Sequence, residues 1–318
     1  MHTRRAAVVA LLGLVALPHG ADAQGLFDAM KARRERQRPA QEGAASAPDG
    51  LDPGEGMAGK FALPPGARLE RDLAYGSDPA QRLDLYIPDK ATRAPIILMV
   101  HGGAWMIGDK ANTNVVAAKV AYWLPKGYIV ASTNYRMGRP PDPLAQADDV
   151  ARALAFLQER APTWGADPAR LVLVGHSSGA HLAALLAADP AIATRQGARP
   201  WLGTISLDSA ALNVTAIMEG RHARFYDRVF GADPGGWSRA SPFHRLAGRP
   251  KPMLLVCSKR REDSCSAARA FADKVVAAGS RAEVVPVDLG HGEINAELGR
   301  AGSYTEAVQG FLRSLGLP

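Results

Sequence analysis

Cysteine is almost absent from this chain. Cys257 and Cys265 are the only two among 318 residues. With no Cys-x-x-Cys pair and no His/Cys cluster, nothing points to a metal centre, and no cofactor is expected. Long apolar runs are missing as well. The stretch Ala6 to Leu17 is too short to span a bilayer comfortably. There are no internal repeats. No nucleic-acid motif accompanies the formal charge of +7. The basic residues are spread along the sequence, which reads as a solvated surface with no nucleic-acid partner. The hydrophobic fraction of 47% is ordinary for a protein with a proper core. The length suits one large α/β domain, or two small ones.

The N-terminus reads as a targeting segment. His2-Thr3-Arg4-Arg5 is a basic n-region, Ala6 to Leu17 an apolar h-region, and Ala21-Asp22-Ala23 a small-x-small cleavage pattern. Residues 1–23 are therefore expected to be a signal peptide, with the mature chain starting at Gln24 and exported to the periplasm or beyond. An uncleaved anchor is the alternative. Arg4-Arg5 also permits twin-arginine export. Residues 24–62 are expected to be a disordered linker, because Pro39 to Gly59 is Ala, Gly, Pro and Asp with little to bury. Before it, Leu26, Phe27 and Met30 lead into the basic run at 31–36. That stretch can make weak contact with an anionic membrane surface, although its apolar face is only about one helical turn long.

From residue 63 to 318 strand and helix patterns alternate. Strands are expected at Arg68 to Ala74, Arg82 to Ile87, Pro95 to Val100, Tyr128 to Ser132, Arg170 to Val174, Gly203 to Leu207, Met253 to Val256 and Ala282 to Val287. Helices are expected at Thr113 to Leu124, Leu144 to Arg160, Ser178 to Ala188, Ser264 to Ala278 and Tyr304 to Leu315. The first two strands read as antiparallel edge strands joined by the turn at 76–79. The rest imply an α/β fold: an eight-stranded, mostly parallel sheet covered by helices on both faces.

The run Leu171-Val172-Leu173-Val174-Gly175-His176-Ser177-Ser178-Gly179 carries the strongest chemical signal. A buried strand runs into a G-x-S-x-G turn, and a helical run follows. That is the context of a nucleophile elbow, which lifts Ser177 above the sheet at a helix N-terminus. Gly175 and Gly179 leave room where a β-carbon would crowd the turn. A second motif, His101-Gly102-Gly103-Ala104-Trp105, follows the third strand. A tetrahedral oxyanion needs hydrogen-bond donors, and backbone amides in a chain of small residues can supply them. Gly103, Ala104 and Ser178 are assigned to that role through their N–H groups, with Gly102 the nearest substitute.

Together these two motifs resemble the hormone-sensitive-lipase-like esterases and the related feruloyl-esterase and kynurenine-formamidase-like branch of the α/β-hydrolases. Asp167-Pro168-Ala169-Arg170 and Ala240-Ser241-Pro242 are similar to that family too. The resemblance covers about residues 68 to 316. It departs from the family at Ala104, where a third glycine is usual, and at Ser178, where a smaller residue is usual. Both keep a backbone N–H.

The resemblance implies the order Ser, acid, His. His291, in Leu289-Gly290-His291-Gly292-Glu293 after the last strand, is the expected base, on a loop that suits a mobile, exposed imidazole. His101, His176, His181, His222 and His244 are its rivals. The acid is expected in the loop after the seventh strand, at Asp263. Glu262 competes with it, and so does Asp208 after the sixth strand. Asp263 also reads simply as a charge at a helix N-terminus. The implied function is a serine carboxylic-ester hydrolase acting on a small-molecule ester. Arylformamidase or exopeptidase chemistry on the same fold is the alternative, followed by a binding protein that has lost catalysis.

In an exported chain the two cysteines are expected to form a Cys257–Cys265 disulfide, stapling the loop that carries Asp263. Between Ala210 and Pro252, Ile217, Met218, Phe225, Tyr226, Phe230 and Trp237 can form a small cap insertion over an acyl pocket, or pack on the core. Trp105 can flank the same pocket.

Overall fold

The computed structural model describes residues 60–318. The expected signal peptide (1–23), the segment at 26–36 and nearly all of the expected linker lie outside the described residues. Among the described residues Phe61, two positions before the expected start of the domain, already packs on the sheet. Its ring lies 5.8 Å from that of Tyr86.

Eight strands form one sheet in the order β1-β2-β4-β3-β5-β6-β7-β8. They are β1 (Arg68–Ala74), β2 (Arg82–Ile87), β3 (Ala94–Val100), β4 (Ile129–Thr133), β5 (Ala166–His176), β6 (Gly203–Leu207), β7 (Met253–Ser258) and β8 (Ala282–Val287). β1 pairs antiparallel with β2, and β2 antiparallel with β4; all other neighbours are parallel. The sequence explains the arrangement. β3 reads Ala-Pro-Ile-Ile-Leu-Met-Val and is buried along its whole length, as a central parallel strand under helices on both faces must be. β1 is largely exposed and lies at the edge.

The helices are α1 (Thr113–Trp123), α2 (Pro143–Arg160), α3 (Ser178–Ala188), α4 (Pro190–Arg195), α5 (Val214–Glu219), α6 (Arg224–Phe230), α7 (Pro234–Ala240), α8 (Pro242–Arg245), α9 (Glu262–Ala277), α10 (His291–Glu297) and α11 (Ser303–Ser314). α2 starts where Asp142 accepts from the amides of Leu144 and Ala145, with Pro143 in its first turn. α3 is buried along its whole length, as its Ala/Leu composition allows. Three apolar clusters pack on the sheet: one includes Leu98, Leu173 and Leu182, a second Met99, Val174 and Phe311, and a third Met253, Leu255 and Phe271.

The insertion at 210–252 folds as four short helices, α5 to α8, and both readings of its aromatics hold in part. Phe225, Phe230 and Met218 belong to the core. Phe225 and Tyr226 also line the cleft above Ser177. The segment after β8 differs from expectation. It is helix α10, because the Glu293 carboxylate accepts from the Gly290 amide and caps the first turn.

Candidate active site

Ser177 follows β5 and caps α3 with φ +54° and ψ −119°, a backbone state that a non-glycine residue seldom adopts. The turn is held from both sides. The Ser177 amide donates to the Leu207 carbonyl at 2.9 Å, and the Ser177 carbonyl accepts from the His181 amide at 3.1 Å. A β-carbon on Gly175 would stand 2.2 Å from the Gly179 carbonyl oxygen, and one on Gly179 would stand 2.3 Å from that of Val100. Both glycines are therefore required by close backbone approach.

His291 is the first residue of α10. Its Nε2 lies 2.9 Å from Ser177 Oγ. The expected mobile, exposed imidazole is corrected here: the side chain is only 15% exposed. The reason is the company it keeps. The His176 Nε2–H donates to the His291 carbonyl at 2.9 Å, and the two rings lie 4.6 Å apart.

The acid beside His291 is Asp208, not Asp263. Asp208 Oδ2 lies 2.6 Å from His291 Nδ1. Its other oxygen accepts from the Ser258 amide at 2.8 Å and from the Ser264 hydroxyl. Asp208 is fully buried and has φ +54°, which turns the chain sharply at the end of β6. Asp263 lies in the first turn of α9, its side chain 59% exposed. It accepts from the Ser264 amide at 2.9 Å and pairs with Arg261 at 3.3 Å. It is therefore the helix-terminal charge that the plain reading allowed. Glu262 opens the same helix and is exposed.

The Cys257–Cys265 disulfide closes the loop between β7 and α9. Its contribution differs from the expected one. The enclosed residues Ser258, Arg261 and Ser264 all touch the Asp208 carboxylate, so the loop supplies the acid's cradle and not the acid.

Burial alone pushes the Asp208 carboxyl up. The hydrogen bond from His291, the charges of Arg261 and His291 and the Ser264 hydroxyl together hold it well below the usual carboxylate range. Burial lowers the His291 imidazole, as do His176 and Arg261, against the opposing pull of Asp208.

After β3 the chain turns tightly. Gly103 has φ +122°, and a β-carbon there would meet the Ile107 carbonyl oxygen at 2.0 Å. Its own carbonyl accepts from Met106 and Ile107, each at 3.0 Å. Ala104 and Trp105 are both left-handed, at φ +50° and +63°. Ala104, Trp105 and Ser178 line the cleft that also holds Ser177 and His291. Gly103 is not in that lining; it shapes the turn. Ser178 opens α3, where an amide has no partner within its helix.

The other histidines brace the site or lie in the insertion. The ring of His101 stacks on Tyr135 at 4.4 Å, and Nδ1 meets the Gly102 carbonyl at 2.7 Å. His181 accepts from Trp105 Nε1–H at 3.1 Å and donates to the Ala240 carbonyl at 2.7 Å. Burial lowers its pKa to about 4, against the raising effect of Ala240, so the ring is a neutral bridge. His222 pairs with Asp227, and His244 with Ser241. Arg261, lodged between Asp208 and His291, was not singled out from the sequence. The only hint was the basic run at 259–261.

Among the described residues there is no group of three or more His, Cys, Asp or Glu arranged to hold a metal ion. No described helix is long and apolar enough to cross a membrane.

Residues 83–206 match the BD-FAE family. The match runs through the oxyanion-type loop and the elbow and stops two residues before Asp208. The chain is 31% identical over 261 residues to Esterase LipQ of Mycobacterium tuberculosis, covering 76% of this chain and 61% of that protein. It is 28% identical over 239 residues to the isoprenylcysteine alpha-carbonyl methylesterase ICME of Arabidopsis thaliana, covering 69% and 55%. The chain thus spans only part of the length of these curated relatives. Among solved structures it is similar to Esterase B from Lactobacillus rhamnosis, with a TM-score of 0.66, 21% identity and 92% of each chain covered. That likeness concerns the fold.

Proposed function

We propose that this chain, which matches the BD-FAE family over residues 83–206 and is similar to esterases in sequence and fold, is an α/β-hydrolase that hydrolyses carboxylic esters through an acyl-enzyme on Ser177. The observation that carries this reading is the unbroken run Ser177 Oγ, His291, Asp208, with separations of 2.9 and 2.6 Å. In the proposed cycle His291 Nε2 takes the hydroxyl proton as Ser177 attacks the ester carbonyl. Asp208 holds Nδ1–H and stabilises the imidazolium that forms. The amides of Ala104 and Ser178, with Gly103 setting the turn, donate to the developing oxyanion. His291 then passes its proton to the leaving alcohol. Water repeats the sequence on the acyl-enzyme and frees Ser177.

The substrate class is a small-molecule ester. Trp105, Phe225 and Tyr226 give the cleft an aromatic wall against which an acyl or alcohol group can pack. The reading includes export, supported by the leader-like pattern of residues 1–23 and by the disulfide. Cell fractionation with N-terminal sequencing tests that part.

Labelling by a fluorophosphonate, lost in Ser177→Ala, tests the chemistry. Ser177→Ala should also reduce p-nitrophenyl acetate turnover by about three orders of magnitude or more. Turnover near the wild-type level in that variant defeats the proposal.

A further inference from the structure

Nδ1 of His291 has two neighbours that make opposite demands on it. Asp208 Oδ2, at 2.6 Å, requires a proton on Nδ1. Arg261 Nη1, 2.7 Å from the same nitrogen, has only protons to offer and requires Nδ1 to be bare. A ring nitrogen satisfies one or the other. With Nδ1–H directed at Asp208, Nε2 presents its lone pair to Ser177 and can accept the hydroxyl proton. With Nδ1 accepting from Arg261, the single proton of the neutral ring sits on Nε2, and the ring cannot act as a base.

Arg261 also has an alternative partner. Its Nη2 lies 3.3 Å from Asp263 Oδ2, while Nη1 lies 2.9 Å from Asp208 Oδ2. The guanidinium is 14% exposed and lines the cleft, so its choice of partner is made beside the reacting atoms.

We propose that Arg261 is a positioning residue that contends with Asp208 for Nδ1 of His291, and that Asp263 draws it aside to favour the productive tautomer. The inference rests on Ser177, His291 and Asp208 being the reacting set. The groups facing the imidazole are Asp208 from the end of β6, Arg261 from the β7–α9 loop, His176 from the end of β5 and Ser177. Asp263 on α9 and Tyr226 on α6 act on Arg261, and Tyr304 on α11 acts on Asp208. On α10 itself, Glu293 is engaged with Arg260 and the Gly290 amide. Removing the permanent cation stabilises the imidazolium. Removing the Asp263 charge leaves the cation less compensated and does the reverse.

The test is the pH profile of kcat and kcat/KM for wild type, Arg261→Met, Arg261→Lys and Asp263→Asn, with p-nitrophenyl acetate. In Arg261→Met the acid limb should move to higher pH and the alkaline plateau of kcat should rise. Its rate at pH 6, relative to its own plateau, should fall by about threefold. Asp263→Asn should shift the limb the opposite way and lower the plateau by about twofold. Arg261→Lys should keep the limb near its wild-type position. A uniform loss in Arg261→Met at every pH, or shifts of the same sign in the Met and Asn variants, overturns the proposal and leaves Arg261 as scaffolding for Asp208. Arg261→Gln replaces the Met variant if that variant does not fold. The 15N shifts of His291 give a reading independent of turnover. Wild type should carry a larger Nε2–H fraction than the Arg261 variant, and equal fractions refute the contest. If wild type resists fluorophosphonate, the esterase reading fails instead, and the 15N comparison still decides the tautomer question.

Discussion

Asp208 and His291 meet at 2.6 Å although 83 residues separate them in the chain. Every other hydrogen-bond partner of the Asp208 carboxylate comes from the eight-residue step between Cys257 and Cys265. The acid is therefore oriented by a neighbouring loop as well as by its own strand.

Asp208→Asn should cost about three to four orders of magnitude in kcat, because the amide cannot hold Nδ1–H and stabilise the imidazolium. Asp263→Asn should stay within a few-fold of wild type. Steady-state kinetics of the two variants side by side check the ranking.

The acid limb of kcat/KM should lie below the ordinary imidazole value of 6.5. Burial lowers the His291 pKa, so the neutral, competent ring survives to more acidic pH than a free imidazole would. An initial-rate profile from pH 4 to 9 locates the limb; a limb above 6.5 contradicts the assignment of its cause.

Cys257→Ser/Cys265→Ser should lower stability by about 2–3 kcal/mol at most, since the loop is short and the core large. Its kcat should fall more than KM rises, because the loosened segment presents the Ser258 amide and the Ser264 hydroxyl to Asp208. Denaturant melts paired with kinetics, with and without reductant, measure both; reductant should have no further effect on the double variant.

Lys119 is fully buried, and its ammonium donates to the carbonyls of Asn114 and Asn295 and to Asn295 Oδ1. Burial lowers its pKa to about 7, reinforced by Arg300 and opposed by Glu297. The sign follows from linkage. Between about 7 and the unfolded lysine value of about 10.4, the unfolded chain binds one more proton, so this residue's contribution to stability improves as pH rises. The difference in Tm between wild type and Lys119→Met should therefore vary across pH 6.5 to 9. A constant difference contradicts the direction given.

Gly175→Ala should abolish activity and markedly destabilise the protein, because its β-carbon would lie 2.2 Å from a backbone oxygen that cannot move without dismantling the elbow. Thermal melts and fluorophosphonate labelling check both effects.

Much of this was legible in the linear chain. β1, β2, β6 and β8 have their expected limits, as does α3. Their boundaries are marked by turn residues, and their burial pattern follows from unbroken apolar runs. Ser177 was readable because strand, glycine turn and helix occur together locally. The acid was not. Asp208 and Asp263 both follow strand ends in the sequence, and the choice between them depends on a positive φ at Asp208 and on groups delivered from residues 50 to 83 positions away. No local pattern encodes either. The enclosure of His291 escaped for the same reason: its glycine neighbours suggested freedom, while the constraint comes from His176, 115 residues earlier. Arg261 looked like one more surface cation until the fold brought it to the imidazole.

His181 joins Trp105, on the loop after β3, to Ala240 at the end of α7 through one neutral ring. The helices over the cleft are thus not an interchangeable module. A graft that swaps residues 210–252 to change substrate range removes the acceptor for the His181 Nε2–H. The indole of Trp105 is then anchored to a ring free to turn. Directed evolution of this scaffold would consequently find selectivity and rate moving together, unless the donor segment brings a carbonyl to the same spot.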